Sequence, residues 1–492
     1  MDFKPALVHD SEVPLYRQVF AHIAGKIRSG ELARGERLPA TRELAGQLGL
    51  NRTTISAAYE MLESEGLIAG QVGRGSFVTG ERERDAGGVD WRALLERSES
   101  PATPASSGGF GKHVISFAMS RPSRDLFPLD EVRETCRAVL AREDFADILQ
   151  LGSPSGYEPL RRHLLDEARR QNLASPGDDL IITNGCQQAL DLIGRVLLRP
   201  GDAVAVEDPV YTGLKNLLSG MGARLVGIPV GIDGLDPVQA ERILEREHPR
   251  FLVVTSNFQN PTGATVPLAA RLALLEAAAA AGVPIVENDA YGELRYAGES
   301  LPAIKQLDKS GGTVLLRSFS KVSFPGLRVG WVMGPKLLVD RLRQAKEAAD
   351  LHTDQLSQAV LLEFAESGRL EAHRGRMLAA GAERLAATLE SCRAYLPAGT
   401  RWTRPEGGMN VWVRLPEPLD ASELLSRAQK EGVAYLPGQY FAVSRRETGA
   451  LRLSFAGLPP DQIRSGLAIL GRIVSGELEA ASRSFEPAPA MV

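Results

Sequence analysis

The chain has 492 residues, of which 43% are hydrophobic and 24% charged, as is typical of a globular protein with roughly three domains of about 150 residues. A formal net charge of −4 excludes a strong overall attraction to nucleic acid or to a membrane surface. The three cysteines form no CxxC pair and the seven histidines form no HxxxH or HExxH pair, so we expect no disulfide framework and no metal site. No signal peptide or membrane span is recognisable, and we expect a cytoplasmic protein without a membrane partner.

The first 80 residues carry the pattern of three short helices and a hairpin. Apolar residues recur at helical spacing, glycines follow each predicted helix, and a Gly-Arg-Gly turn separates two short apolar runs. The predicted helices cover residues 15–29, 41–48 and 52–65, and the predicted strands cover 67–69 and 76–78. This order indicates a winged helix-turn-helix.

Charge in this region neither supports nor excludes DNA binding. Residues 1–80 hold nine basic and nine acidic residues, so a DNA-binding face requires the two signs to be segregated. Arg42, Arg52 and Arg74 fall on the second helix, the third helix and the hairpin turn, which permits one basic face. A small helical domain for protein contacts is the alternative that spacing alone leaves open.

Three segments of this region resemble the winged-helix domain of GntR-family repressors. They are PLYRQVFAHIAGKIRSGEL, RLPATRELAGQLGLNRTTISAAYEMLESEGLI and GRGSFV, and together they cover almost all of residues 12–79. The resemblance implies that the chain binds double-stranded operator DNA. The residues that would meet the operator are Arg42, Arg52, Thr53, Thr54 and the wing residue Gly75.

The composition changes after the hairpin. The charge run ERERD and the segment SESPATPASSGGFG bury little surface, so we predict a flexible linker over 81–112 between a DNA-binding domain at 1–80 and a domain at 113–492. From His113 onward strands and helices alternate, which predicts an α/β domain with a mostly parallel sheet. Candidate strands cover residues 180–183, 203–207, 224–228, 251–255, 284–288, 313–319 and 329–333. Ligands in such sheets bind beyond the carboxyl ends of the strands, where the polar motifs of this chain fall.

The motif that organises this domain is Ser318-Phe319-Ser320-Lys321, which follows an apolar strand. A lysine kept neutral there could form a Schiff base with a carbonyl. Two serine hydroxyls and the nearby Arg328 would suit a phosphate. Lysine, carbonyl and phosphate together suggest pyridoxal phosphate, whereas the alternative is a lysine in an exposed loop.

Four further motifs follow strands. Gly185-Cys186-Gln187 opens a helix and could seat a phosphate, or could be an ordinary turn with a helix cap. Tyr211 could stack on a flat cofactor or lie in the core. Asn260 could bond a phenolate-like oxygen or merely form an Asn-Pro turn. Asp289, buried after an apolar strand, could pair with a pyridinium N–H or cap the next helix.

Arg452 alternates with apolar neighbours on a later strand and points opposite to them. It could clamp a carboxylate through two hydrogen bonds, apart from the contacts of the cofactor, or it could be a surface charge on an edge strand. Each of these purely structural alternatives is reasonable for its motif alone. All of them holding together, in this order and at strand ends, is much harder to accept.

The order Gly-Cys-Gln, Asp-Pro-x-Tyr, Asn-Pro-Thr-Gly, Asp-x-Tyr, Ser-x-Ser-Lys, Arg resembles fold-type I aminotransferases of class I/II from about residue 115 to 475. The resemblance implies pyridoxal 5′-phosphate as cofactor, with an internal aldimine at Lys321, and a small subdomain from about 113–150 and 350–480 beside a large one at about 151–349. It also implies cofactor contacts: Asp289 to the ring nitrogen, Asn260 and Tyr291 to the ring hydroxyl, Tyr211 to the ring face, and Gly185, Cys186, Gln187, Ser318, Ser320 and Arg328 to the phosphate. Arg452 would hold the carboxylate of an amino acid.

Two positions depart from this family pattern. Leu151 stands where these enzymes usually have a tyrosine that reaches the partner subunit's cofactor, and Cys186 stands where a serine is common. The first change removes a contact between subunits and the second removes one hydroxyl. Neither affects the lysine, but both put efficient turnover in question.

A GntR-like head joined to an aminotransferase-like body resembles the MocR/GabR-type transcription regulators. The resemblance implies a regulator whose body senses pyridoxal phosphate, or an amino compound as external aldimine, and it implies a head-to-tail, domain-swapped homodimer on a two-part operator. The alternative is a working aminotransferase with an appended DNA-binding domain. A body that has lost the cofactor and only dimerises is disfavoured by the intact Lys321 and Asp289.

Overall fold

The structure is a computed structural model that describes residues 14–71, 75–79, 114–444 and 447–484. The chain divides into two compact units, residues 1–99 and 100–492, and each is described by itself. The predicted linker at 81–112 and the turn residue Arg74 lie outside the described residues.

The first unit is a three-helix domain with a hairpin. Its elements are α1 (Leu15–Arg28), α2 (Thr41–Leu48), α3 (Arg52–Ser64), β1 (Ile68–Gln71) and β2 (Gly75–Val78). The two strands are antiparallel, with Ile68 opposite Val78. Gly49 ends α2 in the left-handed conformation at φ 67°, which a glycine adopts without strain, and the Asn51 side chain caps α3 by accepting from the Thr53 backbone N–H. The predicted winged helix-turn-helix is confirmed.

One apolar core holds these elements together. Val19 and Ile23 of α1, Leu44 of α2, and Ile55 and Leu62 of α3 are all at most 2% exposed. Helical spacing places each set on one face of its helix, so burial of these faces fixes α3 against α1 and α2. The opposite face of α3 is left toward solvent.

The second unit begins with one short strand and three helices, which are β3 (Ile115–Ser116), α4 (Leu129–Leu140), α5 (Phe145–Ile148) and α6 (Glu158–Arg170). A large sheet then alternates with helices. Its strands are β4 (Asp178–Thr183), β5 (Ala203–Asp208), β6 (Arg224–Gly231), β7 (Gly234–Leu235), β8 (Leu252–Val254), β9 (Ile285–Asn288), β10 (Thr313–Ser318) and β11 (Gly330–Pro335). The helices between them are α7 (Cys186–Leu197), α8 (Thr212–Gly220), α9 (Pro237–Glu247), α10 (Leu268–Ala281) and α11 (Ile304–Leu307).

The large sheet has the strand order β4-β11-β10-β9-β8-β5-β6-β7. Strands β10, β9, β8, β5 and β6 run parallel, whereas β11 is antiparallel to both of its neighbours and β7 is antiparallel to β6. The predicted α/β fold with a mostly parallel sheet is therefore confirmed. The carboxyl ends of β8, β9 and β10 lie side by side at one edge.

The remaining elements follow the large sheet. They are α12 (Lys336–Asp350), α13 (Gln355–Glu366), α14 (Arg369–Tyr395), β12 (Arg401–Trp402), β13 (Asn410–Arg414), α15 (Ala421–Lys430), β14 (Val433–Ala434), β15 (Leu436–Pro437), β16 (Ala450–Ser454) and α16 (Pro460–Ser484). A second sheet has the order β12-β13-β16-β15, and β14 pairs with β3 from the start of the unit.

Both faces of the large sheet are covered, so successive residues of its strands are buried. Ile285 and Val286 of β9 point to opposite faces and are 1% and 0% exposed. Glu287, also on β9, is buried, and its carboxylate accepts hydrogen bonds from the backbone N–H groups of Ile304 and Lys305. A strand this buried leaves only its carboxyl end free to meet a ligand. Within the described parts of the chain, no helix is both long and apolar enough to cross a membrane.

Candidate functional site

A cavity of about 550 Å³ lies at the carboxyl ends of β8, β9 and β10, next to the start of α7. This volume is in the range of small-molecule sites, about 300–1,000 Å³. Ten of the twelve residues predicted to hold cofactor or effector line it: Cys186, Gln187, Tyr211, Asn260, Tyr291, Ser318, Ser320, Lys321, Arg328 and Arg452. The fold therefore gathers residues that are up to 266 positions apart (452 − 186).

Lys321 lies in the turn that follows β10, and its side chain is half-buried. Its Nζ donates to the Ser120 carbonyl at 2.7 Å and lies 5.5 Å from the centre of the Tyr291 ring. A neutral carbonyl and an aromatic face orient the amine, and no carboxylate of the described residues forms a salt bridge with it. The amine is thus held at the cavity without a carboxylate partner.

The start of α7 and the turn after β10 form a site for an anion. Gly185 precedes α7 at φ 80°, and a Cβ there would lie 2.8 Å from Arg328 Nη2, so glycine leaves room for this guanidinium. Arg328 donates to the Asn184 carbonyl at 3.0 Å, and Ser318 Oγ lies 2.9 Å from Ser320 Oγ. Free helix N–H groups, a guanidinium and two hydroxyls together suit a phosphate. Gly185 itself is not among the residues that line the cavity.

The thiol of Cys186 adds no negative charge to this anion site. Burial raises the pKa of Cys186 to about 12, so the thiol is neutral at physiological pH. Its backbone N–H still belongs to the free first turn of α7. The serine hydroxyl common at this position in class I/II enzymes is missing, but the backbone contacts of the helix start remain.

Asn260 forms hydrogen bonds with two other predicted site residues, Tyr291 and Arg452. Its Nδ2 donates to the Tyr291 hydroxyl at 3.4 Å, and its Oδ1 accepts from Arg452 Nη1 at 3.0 Å. Arg452 lies on β16 inside the second sheet, not at an edge, is 4% exposed, and also donates to the Ala118 carbonyl. Burial lowers the pKa of Arg452 to about 10, which leaves it charged at neutral pH. The expectation that Arg452 is separate from the cofactor's contacts is wrong, because Asn260 joins them.

Tyr211 lies at the start of α8 and is 38% exposed, with its ring at the cavity. Burial of its hydroxyl raises the pKa of Tyr211, so the phenol is neutral at physiological pH. A neutral aromatic ring at the wall of a cavity suits stacking on a flat ligand. This role stays a prediction.

The structure does not bring Asp289 to the cavity. Its Oδ2 accepts from Arg317 Nε at 3.0 Å and Nη2 at 2.7 Å, and its Oδ1 accepts from Asn257 Nδ2 at 2.9 Å. Both carboxylate oxygens are thus occupied by protein groups, and Asp289 does not line the cavity. The partner that a buried aspartate requires is Arg317.

Asn288, which sequence reasoning overlooked, lines the cavity instead. It is the last residue of β9 and follows Val286 on the same face, the face that packs against α7. Its Oδ1 is buried and has no hydrogen-bond partner among the described residues. Strict alternation along β9 was the signal that could have identified it.

The segment Ala118–Arg121 and Thr255 also line the cavity and were not predicted. Ala118–Arg121 lies about 200 positions before Lys321, and no local pattern marks it. With Arg121 the described cavity wall holds four cations, the others being Lys321, Arg328 and Arg452, and it holds no aspartate or glutamate. Such a wall favours a ligand that carries negative groups.

Pyridoxal phosphate fits this wall. Its phosphate matches the start of α7 with Arg328, its aldehyde matches Lys321, and its ring hydroxyl matches Asn260 and Tyr291. Arg452 is left for a carboxylate. No group of three histidine, cysteine, aspartate or glutamate side chains within the described ranges is placed to hold a metal ion.

The predicted DNA-binding residues lie on the first unit. Arg42, Arg52 and Thr53 are exposed, Thr54 is half-buried, and Gly75 begins β2. Among described residues neither arginine forms a salt bridge, so both guanidinium groups are available to phosphates or base edges. Their contact with DNA stays a prediction.

Known proteins resemble both units. The family model for aminotransferases of class I and II matches residues 112–470, and the model for bacterial regulatory proteins of the gntR family matches residues 15–78. The 2-aminoadipate transaminase of Thermus thermophilus is 38% identical over 371 residues, 74% of this chain and 91% of the transaminase. The probable rhizopine catabolism regulatory protein MocR of Rhizobium meliloti is 30% identical over 473 residues, 94% of each chain.

A solved structure agrees with the fold. LysN, the alpha-aminoadipate aminotransferase of Thermus thermophilus, superposes with a TM-score of 0.73 at 35% identity, covering 80% of this chain and all of its own. A lysine-bearing cavity at the carboxyl ends of a mostly parallel sheet, in one chain with a winged helix-turn-helix, defines an aminotransferase-like protein with a GntR-type head. The chain belongs to the aminotransferase class I and II family and, over 94% of its length, to the MocR/GabR-type group of regulators.

Proposed function

We propose that this chain is a transcription regulator that binds operator DNA through its first unit and pyridoxal phosphate through its second. The observation that carries the proposal is the likeness to the MocR regulatory protein over 94% of both chains, which spans the two units together. Catalysis in the cavity of the second unit would not require a gntR-type DNA-binding unit. The domain limits at 1–80, 81–112 and 113–492, with their two subdomains, are part of the proposal.

Pyridoxal phosphate is the cofactor that the cavity and the family support. The solved LysN structure is described as a complex with N-(5′-phosphopyridoxyl)-L-leucine, which joins this cofactor to an amino acid. Lys321 would hold the cofactor covalently, and Cys186, Gln187, Ser320 and Arg328 would hold its phosphate. When bound, the cofactor supplies an electrophilic carbon for amines and a ring that accepts electrons.

The effector would be an amino compound, and Arg452 favours one with a carboxylate. Its guanidinium is buried, charged and at the cavity wall, 3.0 Å from Asn260 Oδ1. A planar guanidinium binds a carboxylate through two hydrogen bonds. If pyridoxal phosphate alone is the signal, Arg452 has no part in regulation. A variant at Arg452 therefore distinguishes a sensor of amino acids from a sensor of the cofactor itself.

For the effector to regulate, it must bind two states of the protein with different affinity. The proposal includes a head-to-tail, domain-swapped homodimer, in which the second unit of each chain controls the spacing of paired DNA-binding units. Two exposed apolar side chains close together in the chain, Leu149 at 66% and Leu151 at 73%, support a subunit interface at this segment.

A working aminotransferase is the second candidate. The observation that favours it is identity: 38% to the transaminase of Thermus thermophilus, higher than the 30% to the regulatory protein. Lys321 would act as the proton carrier at the substrate's Cα. The two candidates differ in what happens after an amino compound binds: retention in a regulator and steady release of an oxo acid in an enzyme.

Mapping of the chromosomal DNA bound by the full-length protein tests the regulator directly. We expect a small number of two-part sites, and binding to a purified site should change when pyridoxal phosphate or an amino compound is added. Genes adjacent to the sites would indicate the class of effector. If the protein binds DNA without sequence preference and steadily converts an amino acid and a 2-oxo acid, the regulator proposal is wrong and the aminotransferase proposal is supported.

A further inference from the structure

Asn288 holds a buried polar atom at the cavity that nothing in the described structure satisfies. Its Oδ1 has no hydrogen-bond partner, although buried polar atoms are nearly always paired. The residue after it, Asp289, has both oxygens bonded by Arg317 and Asn257. An unpaired oxygen on Asn288, beside a carboxylate whose two oxygens are both bonded, indicates that the Asn288 amide binds a ligand at the cavity.

The chemistry of pyridoxal phosphate shows which of its atoms this amide would meet. In that molecule the phosphate arm and the ring hydroxyl flank the aldehyde, and the ring nitrogen lies opposite the aldehyde. Arg328 and the start of α7 suit the phosphate, Asn260 and Tyr291 suit the hydroxyl, and Lys321 suits the aldehyde. The strand ends of β8 and β9 remain for the nitrogen, and there the wall offers Thr255 and Asn288.

No carboxylate of the described cavity wall is available to pair with the ring nitrogen at this position. The described cavity wall contains no aspartate or glutamate, and Asp289 is neutralised by Arg317. Of the buried glutamates on neighbouring strands, neither Glu207 nor Glu287 lines the cavity, and burial raises the pKa of Glu207 to about 8, which favours its neutral form at pH 7. The three arginines of the wall, Arg121, Arg328 and Arg452, disfavour a further positive charge.

We propose that Asn288, not Asp289, is the partner of the cofactor's ring nitrogen, and that its neutral amide leaves this nitrogen unprotonated, which slows amino-group transfer and favours retention of a bound amino compound. Rotation of the amide by 180° brings Nδ2–H to the place of Oδ1, and from there it can donate to an unprotonated nitrogen. The amide lacks the negative charge with which a carboxylate stabilises a protonated one. Asn288 would thus be a positioning residue that biases the site toward sensing.

Protonation of the ring nitrogen affects the rate of amino-group transfer through the electron pair that is left when Cα loses its proton. In amino-group transfer Lys321 would carry the proton of the amino compound's Cα, and the cofactor would supply a ring that accepts electrons. A protonated ring nitrogen accepts this pair more readily. With an amide partner, Arg452 would still hold the amino compound, but proton transfer by Lys321 would be slow. The inference rests on the proposed function, since it requires the cofactor in this cavity.

The test compares wild type with Asn288→Asp and Asp289→Asn, all loaded with pyridoxal phosphate labelled with ¹⁵N at the ring. The ¹⁵N chemical shift reports protonation without any need for activity. We expect an unprotonated nitrogen at pH 7 in wild type, a protonated one in Asn288→Asp, and no change in Asp289→Asn, although breaking the Arg317 pair should lower its stability. Single-turnover transfer from standard amino acids that carry a primary amine should be at least about tenfold faster in Asn288→Asp, the ratio that one pKa unit represents.

The contrary results are separable. A protonated nitrogen in wild type that becomes unprotonated in Asp289→Asn would assign the role to Asp289 and overturn the inference, as would an Asn288→Asp variant with an unprotonated nitrogen. If Asn288→Asp does not fold, Asn288→Ala replaces it, with weaker cofactor binding by about two- to tenfold and an unchanged ¹⁵N shift expected. A folded wild type that retains no labelled cofactor instead refutes the proposed function.

Discussion

The candidate DNA-binding surface and the cofactor cavity are built in opposite ways. Arg42, Arg52 and Thr53 lie within twelve positions, are exposed, and make few side-chain contacts with the described structure. The cavity residues come from eight separate segments between Ala118 and Arg452, and several bond to one another, as in the hydrogen bonds of Arg452 to Asn260 and of Asn260 to Tyr291. A change on the DNA-binding surface should therefore affect one contact, whereas a change in the cavity should spread along its hydrogen bonds.

The largest effect should come from Lys321→Ala. Borohydride should fix the cofactor to Lys321 in wild type, and the variant should lose this fixation completely because no other lysine lines the described cavity. Lys215→Ala is the matched control, since Lys215 also donates to a backbone carbonyl, that of Ala442 at 3.1 Å, but lies outside the cavity wall. Peptide mass mapping after reduction checks the result. Fixation at a different lysine in wild type would contradict the cavity assignment.

Arg452→Ala should weaken binding of a carboxylate-bearing effector by at least about 1.5–3 kcal/mol, the value of a charge-assisted hydrogen-bonded pair. Cofactor affinity should fall less, and only because Asn260 loses a partner. Absorbance titration of the cofactor band with amino acids and with amines measures both. Arg414→Ala, on the neighbouring β13 and outside the cavity wall, should leave both unchanged. Normal regulation in Arg452→Ala would identify pyridoxal phosphate itself as the signal.

On the DNA-binding surface, Arg42→Ala and Arg52→Ala should each weaken operator binding and leave cofactor binding intact. A base-reading arginine should cost about 1–3 kcal/mol and relax specificity, and a phosphate contact should reduce the salt slope by about one. Footprinting over a salt series distinguishes the two. Arg17→Ala, an exposed arginine on α1, serves as control. Two variants that bind like wild type at every salt concentration would show that the recognition face is elsewhere.

The last expected effect is a dependence of the stability of the second unit on pH. His373 is fully buried against Phe324, with ring centres 5.5 Å apart, and burial lowers its pKa to about 4. Because the unfolded histidine titrates near 6.5, the unfolded state binds the extra proton first, and stability is lost as pH falls from 6.5 to 4. The slope should approach about 1.4 kcal/mol per pH unit.

Calorimetry of wild type and His373→Phe between pH 7 and pH 4 measures this slope. The variant cannot take up the proton, so its unfolding transition for the second unit should depend less on pH than that of wild type. The transition of the first unit should be the same in both proteins. Equal slopes for the second unit would show that His373 is not the group that titrates.

The sequence by itself determined the three helices and the hairpin, the alternation of strands and helices, and the motif around Lys321, because periodicity and turn residues act over a few positions. Alternation along β9 places Asn288 and Asp289 on opposite faces, but the tertiary structure decided which of the two faces is at the cavity and which meets Arg317 of the neighbouring strand. It also decided that Ala118–Arg121 meets Lys321 and that Arg452 meets Asn260. These contacts join segments about 190 to 330 positions apart, and no local pattern records which distant backbone a side chain will meet once the sheets pack.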